Sequence, residues 1–245
     1  MSIKIHGCHG NIFARKNVAE DATSHKNLKP SSPYAISYIK ELQKKTDSEL
    51  LKTAFKTINY SKYADRILGN FYAGGGRTIT HDLNVWYDSM SGKDRLLKAI
   101  EDALKDNHSG FHAKSSEINL TNAIRNNWPS FRVSFANMSE MIAIGGVQEV
   151  EVMGELKDQS FGYDFLDRNG RMHNSPHKVR IDLTILLKDW FGVDENDFTN
   201  NRPAAILDRE GLASLWVLQH QRGYDPFVHI FKYEYQNMDI KLGTR

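Results

Sequence analysis

The sequence has very little cysteine: Cys8 is the only one among its 245 residues. A single thiol excludes an intrachain disulfide, and it excludes a zinc site built from several cysteines. Folding therefore does not depend on oxidation. Cys8 lies between His6 and His9, but no protease signature surrounds it, which favours a free thiol over a catalytic nucleophile.

Long apolar runs are also missing. No stretch approaches the roughly 18 residues of a membrane-spanning helix. The first residues, from Met1 to Gly7, lack the apolar core of a secretory signal peptide. We therefore expect synthesis in the cytoplasm, and export, if it occurs, only by a route that reads no such signal.

The charge is nearly balanced. The formal net charge is +2, and no block of lysine and arginine forms a phosphate-binding stripe. No nucleic-acid partner is expected, which argues against a nuclease. A hydrophobic content of 40% and a charged content of 25% are typical of globular proteins, and the length suffices for one large domain or two small ones.

The sequence divides into three parts by pattern. Residues 1–30 are weakly patterned and are predicted to be a lead-in segment. Residues 31–129 are predicted to be mainly helical, since Ser31-Ser32-Pro33 is a helix start and Thr46-Asp47-Ser48-Glu49 is a capping box. Residues 130–245 alternate apolar and polar side chains, which is typical of strands.

Within the third part, Asn169-Gly170 predicts a tight turn, and Leu207 to Gln221 predicts a helix that ends at Gly223. The predicted fold class is α+β. The expected arrangement is a helical N-terminal half packed on a C-terminal antiparallel sheet with one long covering helix.

Polar residues concentrate around that turn, and we name them the polar hairpin. Carboxylates, imidazoles and guanidiniums at one hairpin end can supply general acid–base catalysis beside a clamp for a phosphate or oxyanion. A solvated hairpin tip with surface ion pairs is the alternative. The candidate catalytic residues are Asp164, Asp167 and His173, and the candidate substrate-binding residues are Arg171, His177 and Arg180.

A metal site at the polar hairpin is a weaker interpretation. His173 and His177 are four residues apart, as two zinc ligands on one helical turn are. Asn174, Ser175 and Pro176 separate them, however, so the sequence predicts a loop. The glutamate that a metalloprotease needs after the first histidine is missing.

Two secondary candidates lie closer to the C-terminus. His220 ends the predicted helix, and Asp189 is predicted to share a turn with Asp194 and Asp197. A helix-terminal histidine near carboxylates can act as a base. The alternative is a buried imidazole bonded to a carbonyl, or a cation that answers the helix dipole.

Several segments carry a resemblance to a known family over about residues 145–235. They are Gly145-Gly146, Asp189-Trp190-Phe191-Gly192-Val193-Asp194 with Asp197, Trp216-Val217-Leu218-Gln219-His220, and Tyr224-Asp225-Pro226-Phe227. Here the chain resembles an enterobacterial domain family of unknown function that is often found behind PAAR-type spike modules of the type VI secretion system. The resemblance implies an antibacterial toxin, a spike or carrier protein, and a cognate immunity protein in the producing cell.

A second similarity concerns the chemistry. Tyr163-Asp164-Phe165, with His173 further along, is similar to the Tyr-Asp-Phe and following histidine of colicin M-type bacteriocins, which cleave the peptidoglycan precursor lipid II. It implies a hydrolase of lipid II or peptidoglycan in the target cell envelope. Asp164 or Asp167 would act as base or Mg²⁺ ligand, and His173 would assist proton transfer. Arg171 or Arg180 would hold the phosphate.

Two other classes of function remain open at this point. The amphipathic segments 33–45 and 47–60 are the candidates for a non-enzymatic toxin that perturbs membranes. A binding or immunity-type protein is the other class, and it would be harmless in either compartment of a bacterium.

Overall fold

The computed structural model describes a mixed six-stranded sheet with helices. The described residues are 3–10, 29–58, 64–73, 76–82, 90–91, 98, 100–102, 104–105, 117–126, 134–135, 148–161, 165–166, 168–170, 172–173, 176–199 and 203–241. The elements within them, in chain order, are β1 (Lys4–Gly10), α1 (Pro33–Leu42), α2 (Asp47–Ile58), α3 (Ala64–Tyr72), β2 (Ile79–Asp82), β3 (Met90–Ser91), β4 (Glu117–Asn119), α4 (Thr121–Asn126), β5 (Ser134–Phe135), β6 (Glu149–Phe161), β7 (Phe165–Leu166), β8 (Met172–His173), β9 (Pro176–Phe191), α5 (Glu195–Thr199), α6 (Pro203–Gln221) and β10 (Phe227–Lys241).

The strands of the main sheet lie in the order β2-β10-β9-β6-β1-β4. The central ladder β1-β6-β9-β10 is antiparallel, whereas β4 pairs with β1 and β2 pairs with β10 in parallel. The α+β class is confirmed. The prediction of an antiparallel sheet confined to the C-terminal part is wrong, because β1, β2 and β4 come from the first half of the chain.

Residues 4–10, which the sequence placed in a lead-in segment, form β1 in the interior of this sheet. Ile5 is 2% exposed, and α4 approaches the backbone of β1 at Gly7. A Cβ atom on Gly7 would lie 2.9 Å from Ile124 Cδ1 and 2.9 Å from Leu120 Cβ. The missing side chain therefore allows α4 to pack against the strand.

The first two helices begin where their capping signals predict. The Ser32 side chain accepts a hydrogen bond from the Ala35 amide, with Pro33 in the first turn. At α2, the Thr46 amide donates to the Glu49 carboxylate over 2.8 Å, and the Glu49 amide donates to Thr46 Oγ1 over 3.3 Å. These reciprocal bonds form the predicted capping box.

Helix α6 is buried on all sides over its second half, since every residue from Gly211 to His220 is buried and most of them are apolar. Such a helix belongs to the interior of a globular protein. It contacts α1, α2 and α5. Polar side chains join its middle and its last residue to the α1–α2 connection, through Lys45 to Glu210 at 2.6 Å and Gln43 to Gln221 at 2.8 Å.

One face of β9 is buried along its described length. Odd-numbered side chains point into the core, as the two-residue period of a strand requires. These buried residues are Val179, Ile181, Leu183, Ile185, Leu187, Asp189 and Phe191. The even-numbered residues form the opposite face, where ion pairs connect β9 to its neighbours.

Candidate functional site

The polar hairpin lies between β6 and β9. Strands β7 and β8 form its stem, with Phe165 paired to His173 and Leu166 paired to Met172. Gly170 has a φ of 73°, a left-handed conformation that suits glycine, so the predicted tight turn is confirmed. Asp164, Asp167 and Arg171 lie outside the described residues.

The two histidines of the hairpin lie in strands, which corrects the predicted loop. His173 is the last residue of β8, and His177 is the second residue of β9. β9 is longer than the alternation predicts and begins at Pro176, a position where a strand can accommodate a residue without an amide proton. Within the described residues, no group of three or more His, Cys, Asp and Glu side chains could hold a metal ion.

Arg180 lies on the exposed face of β9 and is already engaged. Its Nε donates to Asp239 Oδ1 on β10 over 3.1 Å, and Lys178 binds the same carboxylate. Lys178, then Arg180, hold the pKa of Asp239 below its ordinary value. An anionic substrate must compete with Asp239 for Arg180.

Two β-bulges flank the same part of β9, and no pattern in the sequence predicts them. One extra residue of β6 lies between Leu156 and Asp158, and one of β10 lies between Tyr235 and Met238. Asn237 has a φ of 55°, and its amide donates to Asp182 Oδ1 over 2.8 Å. Bulges re-aim side chains and are frequent beside functional sites.

Asp182 joins the two bulges on the exposed face. It accepts the Asn237 amide from β10, and Lys157 of β6 lies 3.3 Å from its other oxygen. The Asn237 amide, followed by Lys157, lowers the pKa of Asp182. The end of the sheet next to the polar hairpin therefore carries ionised groups of both signs.

The second candidate region is at the opposite end of β9, and it is buried. Asp189 lies within β9 and not in the predicted turn, with no exposed surface. Its cross-strand partner is His229 of β10, which is equally buried. The imidazole lies among phenylalanine rings, 4.8 Å from Phe227 and 5.7 Å from Phe231 between ring centroids. The sequence pattern could not pair these residues, because the partners are 40 positions apart.

His220 lies in the same buried end and holds the backbone of Val193. Its Nε2 donates to the Val193 carbonyl over 2.9 Å, while Gln219 Oε1 accepts from the Val193 amide over 2.9 Å. The imidazole also lies 4.9 Å from the Trp216 ring. This arrangement, a buried imidazole bonded to a carbonyl, is the alternative to a catalytic base that the sequence left open. The side chain is only 2% exposed and is therefore shielded from solvent.

Three of the four segments on which the expected family resemblance rests meet here, whereas Gly145-Gly146 lies outside the described residues. The Phe191 ring lies 5.1 Å from Phe227, and a Cβ on Gly192 would be 3.3 Å from Pro226. The Tyr224 amide donates to the carbonyl of Leu218 over 3.1 Å. We call the ranges 189–194, 216–220 and 224–227 the closed end of the sheet.

The closed end also fixes the start of α5. The Asp194 amide donates to Asp197 Oδ2 over 2.8 Å, and the Asp197 amide donates to the Asp194 carbonyl over 3.0 Å. These bonds satisfy groups that a helix N-terminus leaves without an intrahelical partner. Asp194 and Asp197 therefore form a turn, as predicted, and their bonds are structural.

The two ends of β9 differ in the chemistry they can perform. At the closed end, Asp189, His220 and His229 are buried and held by packing. At the hairpin end, Asp182, Arg180 and their partners are charged and exposed to water. Of these two groups of described residues, the one at the hairpin end is accessible to a substrate from solution, and the one at the closed end is buried.

Comparisons with family models, with curated proteins and with solved structures give no match for this chain.

Proposed function

We propose that this chain is an antibacterial effector that acts in the cell envelope of a target bacterium. A type VI secretion spike or carrier protein would deliver it, and an immunity protein would protect the producer. The proposed reaction is hydrolysis of lipid II or peptidoglycan. For the architecture, we propose that the helical N-terminal half packs on the sheet and that α6 is the long helix that covers it.

One observation carries the proposal. Three of the segments that resemble the secretion-associated family, although separated in sequence, contact one another at the closed end. A resemblance carried by residues in mutual contact is typical of a shared folded unit. Chance similarity of short motifs predicts scattered positions instead.

The proposed chemistry belongs to the polar hairpin. Asp164 or Asp167 would act as the base, or would hold Mg²⁺, and His173 would assist proton transfer. With lipid II as substrate, Arg171 or Arg180 would bind the phosphate, and His177 is a further candidate for substrate binding. Support comes from the exposed, charged end of the sheet next to this hairpin, where Asp182 and Asp239 bind cations of β6 and β9.

The compartment of action is tested by expressing the chain in Escherichia coli with and without a periplasmic signal peptide. Lysis or rounding only on export is the expected result. Killing only from the cytoplasm contradicts an envelope target. Absence of toxicity in both compartments contradicts the effector function and favours a binding protein.

The site is tested with an exported triple variant, Asp164→Ala, Asp167→Ala and His173→Ala. We expect toxicity to be lost while the thermal unfolding midpoint stays near that of the wild type. The control is Glu41→Ala, Lys44→Ala and Lys52→Ala, three changes on exposed parts of the helices, which should leave toxicity intact. Full toxicity of the first triple variant would remove the polar hairpin from the mechanism.

Membrane perturbation is the competing function. No helix among the described residues is long and apolar enough to cross a membrane. For α1 and α2 to insert, the bonds of Lys45 to Glu210 and of Gln43 to Gln221 must first break. Dye release from protein-free liposomes measures this directly, and a hydrolase of peptidoglycan leaves such vesicles intact.

A further inference from the structure

An aromatic surface lies where α3 approaches the turn after α6. Tyr72 is 63% exposed, the highest value among the large hydrophobic side chains described. Its ring centroid lies 6.3 Å from that of Tyr224, with 50° between the ring planes. The two rings therefore line a shallow, open cleft on the surface.

The ring of Tyr224, the inner of the two, is fixed by an aromatic contact and by a hydrogen bond. Tyr224 stacks on the buried Phe71 with 5.6 Å between centroids and 28° between planes. Its hydroxyl donates to Asp47 Oδ2 over 3.2 Å, and burial, followed by the nearby Asp47 charge, raises the pKa of Tyr224. A ring fixed in this way loses little conformational freedom when a ligand binds.

Polar groups of both signs border the rings. Arg222 Nε lies 3.6 Å from Asp47 Oδ1, and both side chains are more than one third exposed. The neighbouring Lys45 is paired with Glu210 over 2.6 Å. The charges therefore balance locally, which disfavours a polyanion such as nucleic acid, whose binding depends on unpaired cations.

We propose that Tyr72, Tyr224, Asp47 and Arg222 form a binding site for a β-linked hexopyranose glycan, taken here as the peptidoglycan strand. A pyranose ring presents a face of C–H groups, which suits the negative face of an aromatic ring. Its neighbouring hydroxyls can donate to the carboxylate and accept from the guanidinium in charge-assisted hydrogen bonds. The site is distinct from the polar hairpin. The selection of a peptidoglycan strand as its ligand rests on the proposed envelope function.

Calorimetric titration of the full chain with the β-1,4-linked tetramer of N-acetylglucosamine tests the site. We expect saturable binding by the wild type and binding weakened by about tenfold in Tyr72→Ala, because one stacking ring is lost. Tyr72→Phe keeps the ring and should bind within about twofold of the wild type. Tyr34→Ala removes another exposed tyrosine, whose ring contacts Tyr38 and Arg209 and no residue of this site, and should bind normally.

Two results overturn the inference: no binding of the tetramer by the folded wild type, or equal binding by Tyr72→Ala. The toxicity assay separates this failure from that of the proposed function. A toxic wild type that does not bind the tetramer refutes the glycan site alone. Binding that depends on Tyr72, in a chain that is harmless in both compartments, supports the glycan site and refutes the effector function.

Discussion

Val193 has both of its backbone groups held by neighbouring side chains at the end of one helix. Gln219 binds its amide and His220 binds its carbonyl, each over 2.9 Å. Buried backbone groups that lose such partners cost free energy comparable to a hydrogen bond. The histidine therefore fixes the chain between β9 and α5, and its chemistry as a base is not needed to explain its position.

His220→Ala tests this role. We expect a loss of about 3 kcal/mol in the free energy of unfolding, from the unsatisfied carbonyl and the cavity beside Trp216. Chemical denaturation measures it, with Lys52→Ala on the exposed face of α2 as the control, expected to stay within about 0.5 kcal/mol. Wild-type stability combined with lost toxicity would instead assign His220 a chemical role.

Two glycines give opposite expectations for the same substitution. Gly7→Ala places a Cβ 2.9 Å from Ile124 Cδ1 and should lower the free energy of unfolding by about 1–3 kcal/mol through overpacking. Gly69 lies within α3 with open space around its missing Cβ, so Gly69→Ala should raise it by about 0.5–1 kcal/mol. Urea unfolding of both variants checks the pair, and equal effects would contradict the close approach of α4 to β1.

Strands and helices with local signals were predicted better than those that depend on distant partners. The caps of α1 and α2, the turn at Gly170 and the alternation of β9 all reside in neighbouring residues. β2 and β4 are only four and three residues long and pair in parallel with distant strands. Such short segments carry too little periodicity to reveal a strand, and parallel pairing needs a long connection.

One carboxylate joins the start of α1 to the start of α5. Its lowered pKa predicts how stability depends on pH. Glu195 accepts from the amides of Ser31 and Ser32 over 2.7 and 2.9 Å. Burial alone would raise the pKa of Glu195, but these amides and the serine hydroxyls outweigh it, and the pKa lies below the ordinary 4.5. Its contribution to stability is therefore complete above pH 4.5 and is lost as pH falls through the lowered folded value.

Glu195→Gln removes the charge and keeps the shape. We expect it to cost about 1 kcal/mol near neutral pH, since hydrogen bonds to a charged, partly exposed group are exchanged for weaker ones. The difference from the wild type should shrink below pH 4.5, when Glu195 becomes protonated in the wild type as well. Thermal unfolding at a series of pH values measures it, and a difference independent of pH would contradict the lowered pKa.

Across the whole molecule, the sheet draws strands from both halves of the chain. β1 lies between β6 and β4, and β2 pairs with β10. The sequence predicted the class and most of the long strands, but it assigned the sheet to the C-terminal part alone. It predicted the turn at Gly170, yet it could not foresee that Arg180 is bound by Asp239 from 59 positions away.

This shared sheet predicts that residues 130–245 do not fold alone. Without β1 and β2, β6 and β10 each lose a partner strand, and buried residues such as Val152 lose the strand with which they pair. We expect the isolated fragment to show no cooperative thermal transition by circular dichroism. Co-expression with residues 1–129 should restore that transition and yield a complex that co-purifies. A sharp unfolding transition in the isolated fragment would instead show an independent domain, and the six-stranded sheet would then be a docking of two folded units.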